Sequence, residues 1–319
     1  MKKIIVTIGP ALMKNLENIK KYSDNYIFRI NGAHGNESSI TEYINQLQQN
    51  FNDPQVLIDL PGNKIRTTNL GDGINFGIGS LISINANQTN YPKFIQFLSK
   101  DTIIWANDST FKFIVHEVHN DKVILKSESE GKLIDNKGLH VRNMHAALPF
   151  LFDKDFQLIN IANKFNVQYV GLSFVRNAKD IQTAMELLDK KITIIAKVET
   201  KSAVANLNEI LKLVDHILID RGDLSTEVGL EKIPAYQKYI IEKALFFNKR
   251  VFLATQFLKH MEDNPIPTIA EVVDLYNTFK MGVYGIQLSE ETAVGKYPVK
   301  CLEIARQILK EVHDETQYS

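Results

Sequence analysis

The chain has 319 residues, 44% of them hydrophobic and 23% charged, enough to bury a sizeable core as two domains or as one large barrel with an insertion. Lys plus Arg equals Asp plus Glu at 37 each, so no global field points to nucleic acid or a membrane surface, and any anionic ligand must be met by a local cluster. The single cysteine, Cys301, excludes an intrachain disulfide and a cysteine-based zinc cluster, and the apolar run in 1-MKKIIVTIGP-10 is too short for a signal-peptide core. No stretch approaches a membrane span, and the expected location is the cytoplasm.

Short β-branched runs recur in chain order: 3-KIIVTIG-9, 26-YIFRIN-31, 55-QVLIDL-60, 167-VQYVGLSFV-175, 192-ITIIAKVE-199, 216-HILID-220, 250-RVFLATQ-256 and 284-YGIQLSE-290. They are nearly continuous in apolar character, as strands covered on both faces should be. Segments of helical period separate most of them, among them 36-NESSITEYINQLQQNF-51, 178-AKDIQTAMELLDK-190, 201-KSAVANLNEILKLV-214 and 232-KIPAYQKYIIEKALFF-247. Asn36, and Asp153 ahead of 154-KDFQLINIANKF-165, are of N-cap type, and 298-PVKCLEIARQILKEV-312 closes the series. Eight β-then-α units predict an α/β fold, a parallel (β/α)8 TIM barrel over residues 1–67 and 148–319. The connection after strand 3 is far longer than the others. Residues 68–147 contain the strand-like runs 80-SLISINA-86, 102-TIIWA-106, 111-FKFIVHEV-118 and 122-KVILKSE-128, with turn-like 71-GDG-73, 119-HND-121 and 129-SEGK-132 between and around them. They are expected to form a small inserted β-barrel lid domain.

In such a barrel the working residues sit at the C-terminal strand ends. Those ends carry Arg29 and Asn31, Asp59 and Arg66, Ser173 and Arg176, Lys197 and Glu199, Asp223, Thr255 with Gln256, and Ser289 with Glu291. The opposite ends begin with residues such as Ile4, Val56, Val167 and Ile192, so the polar set reads as one shared site rather than solvated strand ends. Glu199 and Asp223 on adjacent strands could hold a hard divalent cation, or could form only structural ion pairs with a neighbour such as Lys197. Arg29, Arg66 and Lys197 would balance several negative charges, as phosphoryl transfer demands. No P-loop and no GxGxxG loop is present.

These motifs, 7-TIGPA-11, 29-RINGAHG-35, 59-DLPGNKIRT-67, 173-SFVR-176, 197-KVE-199, 221-RGDL-224, 254-ATQFL-258, 265-PIPTIAE-271 and 288-LSEETAVGKYP-298, resemble those of the pyruvate kinase family, in the family's order and along nearly the whole chain. The 136-NKGLH-140 and 148-LPFLFDKD-155 segments resemble the end of that family's lid and the return into its barrel. The resemblance implies phosphoryl transfer between a phosphoenol acid and a nucleotide, ATP or ADP, with Mg2+ or Mn2+. Glu199 and Asp223 then look like the metal ligands, and Lys197 like the ammonium that stabilises the transferring phosphoryl and the enolate. Arg29 and Arg66 look like phosphate-binding residues. Thr255, with the backbone N–H groups of Gly222 and Asp223, would receive the substrate carboxylate. Ser289 would belong to the proton-delivery network, and Pro10, Asn31, His34 and Lys137 would lie near the nucleotide. Partners would be small molecules, with no nucleic acid or membrane among them; a homo-oligomer built through barrel contacts is compatible.

Several residues depart from the family pattern. The chain stops about one helix after strand 8, where the family continues into a regulatory domain, so sugar-phosphate activation is not expected. At the family's potassium site stand Ala33, Leu60 and Lys64, and the Lys64 ammonium is expected to replace the monovalent cation, removing a K+ requirement. Ser39 replaces a tyrosine near the nucleotide, and 107-NDS-109 replaces the lid's paired acidic residues and glycine. Around the substrate methyl, Asp220, Gln287 and Glu290 replace apolar or small residues. Unpaired polar groups there would be costly, so either the substrate is more polar than pyruvate or Asp220 turns to a local Arg or Lys. Two other readings stand beside phosphotransfer: a metal-dependent aldolase or lyase acting on a 2-oxo acid, and an inactive metabolite-binding homologue.

Overall fold

The computed structural model describes residues 2–107 and 110–318, with backbone alone at 315–318. Asp108 and Ser109 of 107-NDS-109 therefore lie outside the described residues. Strands β1 (Lys3–Thr7), β2 (Tyr26–Asn31), β3 (Val56–Leu60), β4 (Tyr169–Leu172), β5 (Thr193–Lys197), β6 (His216–Asp220), β7 (Arg250–Ala254) and β8 (Gly285–Leu288) pair in chain order and close on themselves. Every pairing is parallel, β8 returning to β1 through Lys3↔Gly285 to Val6↔Leu288. This is the TIM-like barrel that the sequence predicts.

Inside the barrel, Ile5, Ile27, Leu57, Ile195, Leu218 and Phe252 form an apolar layer, packed from one side by Tyr169 and Tyr284. Each such side chain withdraws from water and contributes about 1.5–3 kcal/mol. Two residues further along a strand the side chain points the same way. On five of these strands that next inward position is Thr7, Arg29, Asp59, Lys197 or Asp220. The strand period thus places a polar layer directly above an apolar one, at the C-terminal ends.

Some local expectations change. Asp153 is the first helical residue of Asp153–Phe165, with Phe152 as N-cap; the orphan Phe152 N–H is met instead by Asp155 Oδ2 at 2.7 Å. Asn36 does cap Glu37–Asn50, in a reciprocal box with Ser39. Residues 201–214 form two helices, Lys201–Ala205 and Leu207–Leu213, broken at Asn206. The fourth strand ends at Leu172 rather than continuing to 175, because Phe174 turns into left-handed backbone at φ 54°.

By contacts the chain divides into two compact units: Met1–Gly62, Leu151–Leu224 and Lys232–Ser319 make one, and Asn63–Phe150 with Ser225–Glu231 make the other. The second unit is wider than the expected 68–147. It holds an antiparallel sheet in the order Leu139–His140, Ile103–Ala106, Phe111–Val118, Lys122–Ser127, Leu81–Asn85, and a ribbon of Ile74–Phe76 with Gly131–Leu133. Gly131 and Lys132, expected in a turn, are therefore strand residues. Ser225–Glu231 joins this unit through polar ties: Glu227 Oε1 lies 3.0 Å from His140 Nε2, and Arg142 donates to Thr226 O at 2.9 Å. Burial alone would raise the Glu227 pKa, but His140 holds it below the ordinary carboxylate range. Among the described residues no helix is long and apolar enough to cross a membrane.

Candidate active site

The polar layer of the barrel is built around Lys197. Its Nζ donates to Ser173 Oγ at 3.0 Å and lies 3.3 Å from Glu199 Oε2, 3.6 Å from Asp220 Oδ2 and 3.7 Å from Asp59 Oδ2. Burial alone would discharge this lysine; Asp59, Glu199 and Asp220 more than reverse that and raise its pKa, so the ammonium stays charged across the working pH range. Asp59 is the residue whose part the sequence left unassigned. Arg29 donates to Asp59 Oδ2 through Nε at 2.8 Å, with a second nitrogen at 2.7 Å, and through NH1 to Thr7 Oγ1 at 2.9 Å. Thr7 Oγ1 in turn donates to Leu288 O at 2.7 Å. Burial would raise the Asp59 pKa, but Lys197 and then Arg29 keep it low and ionised. Gly171 opens the space for it: a Cβ there would stand 2.7 Å from Asp59 Oδ1.

Glu199 is fully buried. Its Oε1 accepts from Phe174 N at 2.7 Å, a bond aimed by the left-handed turn at Phe174, whereas Oε2 accepts no hydrogen bond. Burial pushes its pKa up against the pull of Lys197, and Asp223 and Asp220 add to the rise. One carboxylate oxygen each from Glu199, Asp220 and Asp223 lies within 4.8 Å of the others. Hard oxygen donors grouped so, one of them a buried carboxylate atom without a hydrogen bond, suit Mg2+ or Mn2+. Glu199 and Asp223 fit the metal that the sequence implies, with the Asp220 carboxylate close beside them.

Asp220 ends β6, directly before the helix Arg221–Val228. Its Oδ1 accepts from Thr255 Oγ1 at 2.6 Å, from Gly222 N at 3.2 Å and, more loosely, from Asp223 N at 3.5 Å. Gly222 permits the first of these, since a Cβ there would meet Thr255 Cγ2 at 3.1 Å. Thr255 sits at φ 82°, a strained conformation for a β-branched residue, and Arg221 holds its carbonyl with bonds of 2.6 and 3.1 Å. Arg221 is itself fixed by Asp274 at 2.8 Å and by stacking on Phe257, 4.2 Å from the ring centre. Asp220 thus turns to local donors. Gln287, unlike the half-buried Asp220, is buried: its Nε2 reaches Ser289 Oγ at 3.4 Å, and its Oε1 accepts no hydrogen bond. Ser289 N donates to Glu291 Oε2 at 2.7 Å, while Glu290 is exposed.

The remaining candidates are placed differently. Arg176 is committed to Asp180, with bonds of 2.8 and 2.7 Å at the start of Ala178–Leu187. Asn31 Oδ1 accepts from Ala33 N at 3.1 Å, and Pro10 and His34 are exposed. In the second unit Arg66 bridges to Gly138 and donates to Asn136 O at 3.0 Å; Thr67 N donates to Lys137 O at 2.9 Å. The Lys64 stem lies against Gly138, so Lys64, Arg66 and Lys137 form one basic group. A recess of about 210 Å³ in the barrel unit, lined by Ile44, Phe51, Val56 and Phe165 among others, opens at the N-terminal strand ends, the end opposite Lys197 and Glu199.

A closed parallel barrel with charged side chains gathered at its C-terminal strand ends has the architecture of TIM-barrel enzymes. The family profile described as pyruvate kinase, barrel domain, matches residues 1–302, and the chain belongs to that family. It is 33% identical to a pyruvate kinase of Thermotoga maritima over 99% of this chain and 72% of that protein. It is 34% identical to one of Thermococcus litoralis over 97% of this chain and 69% of that protein, and 30% identical to one of Borreliella burgdorferi over 97% and 68%.

Proposed function

We propose that the chain is a divalent-metal-dependent phosphotransferase that moves a phosphoryl group between a nucleotide and the enol oxygen of a small 2-oxo compound. The observation that carries this reading is the Lys197 ammonium, buried and kept charged by Asp59, Glu199 and Asp220, beside Arg29. A fixed positive charge in a water-poor site stabilises an oxygen that becomes anionic as its phosphoryl departs, without reorganising at the moment of reaction. Arg29, held in orientation by Asp59 and Thr7, presents its guanidinium to a phosphoryl oxygen. Glu199 and Asp223 would hold Mg2+ or Mn2+, which neutralises phosphoryl charge when bound, while Asp220 beside them is taken up by Thr255 and Gly222. Arg66 and Lys137 are assigned to phosphate and nucleotide through the family motifs, and Ser289 to proton delivery.

The test is a panel of 2-oxo and phosphoenol compounds, phosphoenolpyruvate included, assayed with ADP or ATP and Mg2+. Nucleotide-dependent transfer is expected, abolished by metal chelation and reduced at least about 100-fold in Lys197→Met. Carbon–carbon cleavage that proceeds without nucleotide would replace this reading with the aldolase one. Lys64 supplies the charge of a monovalent cation, so added K+ at saturating Mg2+ should leave the rate nearly unchanged; strong activation would refute the assignment.

A further inference from the structure

We infer that Asp220 is a built-in occupant of the anion cradle at the candidate centre, and that the organic ligand presents a neutral oxygen, not a carboxylate, on that side. This rests on the phosphotransfer reading for the identity of the centre, though not for the geometry of the cradle.

Beside the Glu199–Asp223 pair, one group of donors is suited to a carboxylate: the Thr255 hydroxyl, the N–H groups of Gly222 and Asp223 that open the helix Arg221–Val228, and the Lys197 ammonium. Asp220 already uses all of them. Its Oδ1 takes Thr255 at 2.6 Å, Gly222 N at 3.2 Å and Asp223 N at 3.5 Å, and its Oδ2 faces Lys197 at 3.6 Å. The donors are not incidental. Thr255 reaches Asp220 from left-handed backbone at φ 82°, stabilised by Arg221, and Gly222 omits the side chain that would crowd Thr255. Asp220 is tethered covalently next to the cradle, so its carboxylate competes at a high effective concentration. A ligand carboxylate would have to displace it and then meet its negative charge at close range. A carbonyl or hydroxyl oxygen would face no such repulsion, and the buried Gln287, with Oε1 still lacking a hydrogen bond, offers an acceptor to a hydroxyl or amine.

The experiment is calorimetric titration of the Mn2+-loaded protein with oxalate, whose two carboxylates can engage cation and cradle together, and separately with inorganic phosphate. Wild type is expected to bind oxalate weakly. Asp220→Ala should bind it at least about tenfold more tightly, with phosphate affinity changed far less. Asp220→Asn keeps the volume and the Thr255 bond but removes the charge, and should gain less than Asp220→Ala; it also guards against misfolding of the truncated variant. Titration with Mn2+ alone checks that both variants retain the cation site. Equal oxalate affinity in wild type and Asp220→Ala overturns the proposal, whether both bind or neither does. Failure of the phosphotransfer reading appears elsewhere, as a panel without nucleotide-dependent turnover while the oxalate contrast persists.

Discussion

Asp59 shows how one side chain can order a site without being its evident reactive group. It is 4% exposed, salt-bridged to Arg29 at 2.7 Å and 3.7 Å from Lys197, so both cations take part of their orientation from one carboxylate. Removing one partner of a buried pair leaves the other charged and desolvated, at a cost of about 3–5 kcal/mol. Asp59→Ala should therefore lower the free energy of urea unfolding by roughly that amount. A change within about 0.5 kcal/mol would mean that Arg29 finds another partner. The residue was visible at its strand end in the sequence. Its role was not, because a lone Asp gives no sign of which cations fold against it.

Among the elements, Ile269–Lys280 gives a physical reason for one of the sequence motifs. In 265-PIPTIAE-271, Thr268 and Glu271 form a capping box: Thr268 Oγ1 accepts from Glu271 N at 3.2 Å, and Glu271 Oε2 accepts from Thr268 N at 2.8 Å. The other oxygen, Oε1, accepts from His260 N at 2.7 Å, tying the preceding turn to the helix start. Thr268→Ala should cost about 1 kcal/mol, read as a lower urea midpoint. Thr268→Ser should restore most of it, since serine also supplies the acceptor. The strands were legible because their apolar runs are long and β-branched. Their ends were less so: 167-VQYVGLSFV-175 reads as one strand, yet Phe174 adopts φ 54° and delivers its N–H to Glu199. A site interaction there overrides local propensity, which no periodicity reports. The alternation on the inward face was hidden because the outward positions are buried as well. Arg29, Asp59 and Lys197 therefore looked like strand ends rather than one layer.

For the molecule as a whole, acid stability depends on the side of the barrel opposite the site. His216 opens β6, stacked on Phe252 and edge-on to Tyr169 and Tyr284, with Arg250 3.3 Å from its Nε2. Burial, then Arg250, lowers its pKa to about 4 from 6.5. A group whose pKa is depressed in the folded state binds fewer protons there than in the unfolded chain. Its contribution is complete above about 6.5 and disappears as the pH falls towards 4. In urea titrations from pH 7 to 4.5, wild type should lose more stability than His216→Phe, which keeps the aromatic packing and cannot take up a proton. Parallel losses would move the acid sensitivity to another group. The barrel and its inserted β unit were readable from the rhythm of the strands, whereas the inclusion of Ser225–Glu231 in that unit was not. It depends on Glu227 meeting His140, residues 87 positions apart.

Gly171 carries a consequence for descent. A single methyl group at that position would collide with the Asp59 carboxylate, and Asp59 is the anchor of Arg29. The two codons are therefore not free to drift separately. A lineage that replaced Gly171 would have to shift or abandon the carboxylate, and one that lost Asp59 would release Gly171 from its restriction. Among descendants of this chain, a side chain at position 171 should mark those in which the guanidinium has already lost its post.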